Sequence, residues 1–197
     1  MPMKPDRQTR QIRSLPGAFK TRTLDTGEPV IEGYFAVFNS DYPLWPGAVE
    51  RVAPGAFADE LNADVRALCD HDTRIVLGRT TAGTLTLTED ERGLYGVIKI
   101  NTADSDATNL YARVQRGDVS QCSFGFDILD EEYIINPDGS ELWLIRKVKL
   151  YEVSVVTFPA YEETSVSARS TDTPARRERR LAAWKNNMKE RLAKCSK

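Results

Sequence analysis

The sequence is poor in the residue types that build metal and disulfide sites. Among 197 residues there is one histidine, His71, which excludes a histidine-rich metal centre. The three cysteines, Cys69, Cys122 and Cys195, are an odd number without CxxC spacing, and this argues against a disulfide framework and a zinc site. The acidic residues show no EF-hand spacing. We therefore expect reduced thiols, no metal and no cofactor.

Long apolar runs are also missing. No run approaches the roughly 18 residues that a membrane span requires, and the N-terminal stretch MPMKPDRQTRQIRS lacks the apolar centre of a signal peptide. Hydrophobic residues make up 41% and charged residues 28% of the chain, as in soluble globular proteins. These features predict a cytoplasmic protein with no membrane association.

The net charge of −2 hides an uneven distribution of charge. Basic residues outnumber acidic ones by six to one in residues 1–24 and by nine to three in residues 170–197, whereas residues 25–169 hold 12 basic and 25 acidic groups. The basic ends could be solvated, contact an acidic protein or a second copy, or bind nucleic acid. The acidic body argues against nucleic acid as a partner.

Most of the acidic body has a hydrophobic period of two. Strand-like runs occupy residues 30–39, 64–70, 83–90, 93–101, 119–129, 141–150 and 152–158. The turn NPDG at 136–139 predicts a hairpin, and helices are expected at 54–62 and 104–118. The pattern predicts an α+β, mainly β protein with a barrel or a sandwich. A basic amphipathic helix is expected near the C-terminus, where Leu181, Trp184, Met188 and Leu192 form one apolar stripe.

The segment QCSFGF, residues 121–126, holds two candidate nucleophiles side by side. Neighbouring side chains of a regular strand point to opposite faces, so only one of Cys122 and Ser123 can face a catalytic base while the other packs. If an imidazole is that base, it must be His71, at a strand end between Asp70 and Asp72. Local features alone leave open that 121–126 is only a core strand and that His71 is structural.

The order of several motifs resembles that of the prohead (capsid maturation) proteases of tailed bacteriophages. These motifs are GYFAVFN, ERVAPGAF, ALCDHD with LGR six residues after the histidine, CSFGF and YEVSVVTFPAY. The resemblance covers about residues 25–168. It implies a protease domain there, preceded by a basic segment, 1–24, and followed by a basic linker and amphipathic helical tail, 169–197.

The resemblance also implies a function. The family consists of serine endopeptidases related in fold to herpesvirus assemblin, a compact β-barrel with surrounding helices. They work inside the procapsid in the host cytoplasm, remove the scaffolding segment of the major capsid protein and commonly cleave themselves; here residues 168–175 are a candidate position. The matching residues are Ser123 as nucleophile, His71 as general base and Glu152 as the third member. Assemblin relatives dimerise, so a homo-oligomer stays open.

Three alternatives remain at this stage. Assemblin proteases use a second histidine as the third member, and this chain has none, so a carboxylate must replace it; Asp70 and Asp72 compete with Glu152. A thiolate is a better nucleophile than a hydroxyl, so Cys122 would make a cysteine peptidase. A third reading is a procapsid scaffold or assembly module without activity.

Overall fold

The computed structural model describes residues 10–15 and 19–158, so the predicted linker and C-terminal helix lie outside the described residues. The described part is mainly β, with one α-helix, α1 (Ser105–Arg116). The strands are β1 (Gln11–Leu15), β2 (Lys20–Thr23), β3 (Pro29–Val37), β4 (Tyr42–Trp45), β5 (Ala48–Val52), β6 (Arg66–Cys69), β7 (Asp72–Arg79), β8 (Leu85–Glu89), β9 (Gly93–Lys99), β10 (Gln121–Ile135) and β11 (Glu141–Val156). The mainly β fold class is confirmed.

A long hairpin of β10 and β11 is the centre of the larger sheet. Its turn is the predicted NPDG, where Asn136 N donates to Ser140 O and Gly139 has a φ of +86°. β1 pairs with the outer edge of β10, antiparallel. β11 pairs in parallel with β5 through its first half and with β6 through its second half. β4 and β7 extend this seven-stranded sheet beyond β5 and β6.

The remaining strands form a second sheet in the order β2-β3-β9-β8, and the core lies between the two sheets. The largest fully buried side chains include Phe35 from the small sheet and Phe124 and Phe126 from β10. Burying each such ring contributes about 1.5–3 kcal/mol. In the described residues neither sheet closes on itself, so the predicted barrel is corrected to two packed sheets.

The helix predicted at 104–118 is confirmed as α1. Asp104 caps its N-terminus by accepting from the backbone N–H groups of Asp106 and Ala107, and Gly117 ends it with a φ of 88°. The apolar stripe of the helix contains Leu110 and Val114, which are buried in the core.

The helix predicted at 54–62 is wrong. These residues form successive turns with i to i+3 bonds, such as Glu60 N to Phe57 O at 2.8 Å. Gly55 has a φ of +88°, outside the helical range. A carboxylate from another strand, Glu89 on β8, accepts from the backbone N–H groups of Gly55 and Phe57, which satisfies donors at the start of the segment.

Candidate active site

The two candidate nucleophiles on β10 face opposite sides of the large sheet. Cys122 is fully buried in the core, in one cluster with Phe124 and Val155. Ser123 lies on the other face, directly opposite Ser154 on β11. The alternation of a regular strand therefore separates the thiol from the hydroxyl.

His71 lies in the two-residue turn between β6 and β7. Asp70 and His71 have φ values of 48° and 61°, the left-handed conformation of a tight hairpin turn. This conformation is uncommon for a histidine and costs about 1–2 kcal/mol. It persists because Asp70 is tied to the end of β11: its backbone N–H donates to Val155 O at 3.0 Å, and its Oδ1 accepts from Thr157 N at 2.7 Å.

The ring of His71 lies over β11 and contacts Glu152. The distance from Nδ1 of His71 to Oε1 of Glu152 is 2.7 Å, and the Glu152 side chain is only 9% exposed. Within the described residues, Nε2 of His71 is buried and has no hydrogen-bond partner. The carboxylate thus orients the ring through one nitrogen, and the second nitrogen is available to accept a proton.

Neither acidic neighbour of His71 takes the place of Glu152. The carboxylate of Asp70 is bonded to Thr157, and that of Asp72 accepts from the backbone and guanidinium of Arg74. The hydrogen bonds from Arg74 lower the pKa of Asp72 to about 2.

Two residues around the carboxylate did not stand out in the sequence as parts of the site. Ser154, fully buried, donates from Oγ to Oε2 of Glu152 at 2.6 Å and lies 3.4 Å from Nδ1 of His71. Gly125 is the cross-strand partner of Glu152. A Cβ atom there would lie under 3.0 Å from Oε1 and 3.2 Å from Cδ of Glu152, so only glycine leaves room for the carboxylate.

The hydroxyl of Ser123 points toward β1. Its Oγ donates to the backbone O of Arg13 at 3.0 Å and accepts from Oγ of Ser14 at 3.0 Å. Ser123 is fully buried. The structure therefore brings His71 and Glu152 into contact and places Ser123 on their face of the sheet, with its hydroxyl bonded to β1.

Residues 10–15 and 19–158 contain no group of His, Cys, Asp and Glu side chains that could hold a metal ion. Their helix is too short and too polar to cross a membrane.

The family model described as caudovirus prohead serine protease matches residues 17–177. The prohead protease of Enterobacteria phage HK97 is 32% identical over 150 residues, and that of Escherichia phage T5 is 29% identical over 98 residues. These alignments cover 74% and 50% of this chain, and 62% and 42% of the two relatives, so the chain spans less than two thirds of either relative.

A solved structure supports the fold. The bacteriophage T4 capsid assembly protease is similar with a TM-score of 0.51 and 13% sequence identity. The superposition covers 75% of this chain and 96% of that one. At this identity the similarity concerns the arrangement of the elements alone.

Proposed function

This chain belongs to the family of caudovirus prohead serine proteases, and we propose that it is a serine endopeptidase of procapsid maturation. Its substrates are the scaffolding segment of a phage major capsid protein and the protease itself, inside the procapsid in the host cytoplasm. The observation that carries this proposal is the hydrogen bond between Nδ1 of His71 and Oε1 of Glu152 on the face of the sheet that bears Ser123, with Nε2 of His71 buried and unbonded within the described residues.

In the proposed mechanism, Oγ of Ser123 attacks the carbonyl carbon of the scissile bond while Nε2 of His71 takes the hydroxyl proton. Glu152 holds the N–H at Nδ1 and stabilises the imidazolium that forms. The C–N bond then breaks, and His71 gives the proton to the leaving amine. Water, activated by the same imidazole, hydrolyses the acyl-enzyme and restores the serine. General base catalysis of this kind contributes roughly 10²–10⁴-fold.

One rearrangement precedes this chemistry. Ser123 and Ser154 are cross-strand partners, whose Cβ atoms lie about 4.5–5.5 Å apart, and the ring of His71 lies next to Ser154. Rotation of Ser123 between staggered χ1 positions turns its hydroxyl from β1 toward this ring. Because Ser123 is fully buried and its hydroxyl is bonded to β1, we infer that β1 leaves this edge of β10 before a substrate binds there.

The burial of Cys122 on the core face supports serine over cysteine as the nucleophile.

We further propose that the fold is related to herpesvirus assemblin and that the protease associates with itself. Residues 176–194 of the tail are proposed as an amphipathic helix that binds the scaffolding segment or the capsid interior. Deleting residues 170–197 should preserve peptidase activity and reduce incorporation into procapsids; undiminished incorporation contradicts this role.

Co-expression with the cognate capsid precursor, followed by intact mass analysis of both chains, tests the activity. The wild-type chain is expected to shorten the precursor, and Ser123→Ala to leave both chains at full length. Ser14→Ala is the matched control, because it removes a hydroxyl bonded to Ser123 without removing the nucleophile. Full processing by Ser123→Ala contradicts the assignment, and a full-length precursor with the wild-type chain indicates an assembly module instead.

A further inference from the structure

Arg13 on β1 fills a pocket that is built for a guanidinium group. Its Nε and Nη2 donate to the two carboxylate oxygens of Glu50, the latter at 2.9 Å, and the two side chains are only 4% and 1% exposed. The guanidinium also lies over two aromatic rings, 4.9 Å from the centre of Tyr42 and 5.7 Å from that of Phe126. Bidentate pairing and stacking together are specific to arginine.

The main chain of the same residue lies at the candidate nucleophile. The carbonyl oxygen of Arg13 is 3.0 Å from Oγ of Ser123, and the carbonyl carbon is one bond, about 1.2 Å, from that oxygen. The peptide bond from Arg13 to Ser14 is therefore the one that the hydroxyl contacts. β1 is held by antiparallel pairing to the edge of β10, the mode in which many proteins bind extended peptides.

The pocket and the hydroxyl lie on opposite faces of β1. Arg13 points to one side of the sheet, whereas Ser14 points to the side of Ser123. Glu50 is fixed on β5 between two strands, with Trp143 of β11 and Tyr42 of β4 as register partners. An extended peptide in the place of β1 would thus deliver one side chain to Glu50 and the following peptide bond to Ser123.

We propose that Glu50, with Tyr42 and Phe126, forms the pocket for the residue that precedes the scissile bond, and that the protease cleaves after arginine. The inference rests on the proposed function, because it takes Ser123 as the nucleophile. A lysine reaches the same carboxylate as a point charge without the bidentate fit, so it is the second choice. Neutral side chains forgo the bidentate pair with Glu50, and acidic side chains place a like charge beside a buried carboxylate, so both are poor substrates.

Peptides with the sequence of residues 10–17 and with only the arginine position varied test this specificity. We expect kcat/KM to fall about tenfold for lysine and at least about 100-fold for glutamine or glutamate. The full-length chain and the variant Arg13→Gln, which removes the resident guanidinium, are assayed in parallel. The cut sites in the capsid precursor are mapped by mass and should follow arginine or lysine.

Substitution of the pocket carboxylate, Glu50, is a second test of the preference for arginine. Glu50→Gln should reduce the preference for arginine over glutamine at least about tenfold while retaining cleavage of the glutamine peptide. Glu141→Gln is the matched control, a buried glutamate at the start of β11 whose loss should leave the preference unchanged.

Cleavage without a preference for basic residues, in peptides and in the precursor, overturns the pocket and leaves the proposed function standing. A folded Glu50→Gln variant that still prefers arginine over glutamine as strongly as the wild type also overturns the pocket and leaves the proposed function standing. A wild-type chain that cleaves neither the precursor nor any peptide overturns the proposed function, and the pocket with it.

Discussion

Substitution of Gly125 by alanine perturbs the proposed site through a single added atom. In the structure Gly125 lies opposite Glu152 on the neighbouring strand, and the carboxylate occupies the space that a Cβ atom would fill. Cγ and Cδ of Glu152 would both be 3.2 Å from the new methyl group, and Oε1 would be closer still. All of these atoms belong to the Glu152 side chain, which yields more easily than the backbone of β10 and β11. Glu152 must therefore move away from His71.

The expected loss of activity follows from the size of that displacement. Misplacing a catalytic group by about 1 Å costs roughly 10²-fold in rate, and removing the orienting carboxylate of a serine protease triad costs about 10⁴-fold. Gly125→Ala should therefore lower kcat between about 10²-fold and 10⁴-fold. Overpacking at one buried position should destabilise the fold by about 1–3 kcal/mol.

The assay is steady-state cleavage of the capsid precursor at saturating concentration, which gives kcat, with thermal unfolding measured in parallel. Gly96→Ala is the matched control: its Cβ would lie 2.5 Å from Cε2 of Phe35, in the core and on the other sheet. It should lose stability and keep kcat. Because the effect acts through Glu152, adding Gly125→Ala to Glu152→Ala should cause little further loss. A folded Gly125→Ala enzyme with kcat within about threefold of wild type would refute the reasoning.

Two more predictions concern the turn that presents the histidine and the two described thiols. Thr157→Val removes the 3.1 Å hydrogen bond from Oγ1 to Asp70 and loosens the strained turn of His71, so kcat should fall about threefold to tenfold with under about 1 kcal/mol lost in stability; unchanged kcat in the folded variant contradicts that positioning role. Burial raises the pKa of Cys69 to about 11, so its alkylation by iodoacetamide, followed by peptide mapping, should be slow at pH 8 and accelerate about tenfold per pH unit, with Cys122 unmodified in the folded protein. Rapid modification of Cys122 with parallel loss of activity would instead indicate a cysteine peptidase.

Local patterns in the sequence predicted those elements that local interactions determine. α1 carries its own capping residues, Asp104 and Gly117, and the NPDG turn carries its own turn residues. The period of two likewise placed Cys122 and Ser123 on opposite faces of β10. By contrast, the turns at 54–62 donate hydrogen bonds to Glu89, which is more than 30 residues away, and the local pattern that predicted a helix there does not contain this contact.

Contacts between distant segments account for the parts of the site that the sequence did not reveal. Ser154 is two residues from Glu152 on the same face of β11, a spacing that could have marked it as a partner of the carboxylate. Nothing local connects β1 to Ser123, because the two are 110 residues apart. The parallel pairing of β11 with β5 and β6 likewise joins segments far apart in the chain, so the period of two left both a barrel and a sandwich open.

Covalent trapping during turnover tests the central claim most directly. A preparation that is cleaving the capsid precursor is treated with a fluorophosphonate, and the modified residue is located by tandem mass spectrometry. We expect one adduct, on Ser123, which accumulates in parallel with the loss of precursor cleavage. The His71→Ala variant should not form this adduct. An adduct on Ser14, Ser154 or Cys122, or uninhibited cleavage with Ser123 unmodified, would contradict the assignment of Ser123 as the nucleophile.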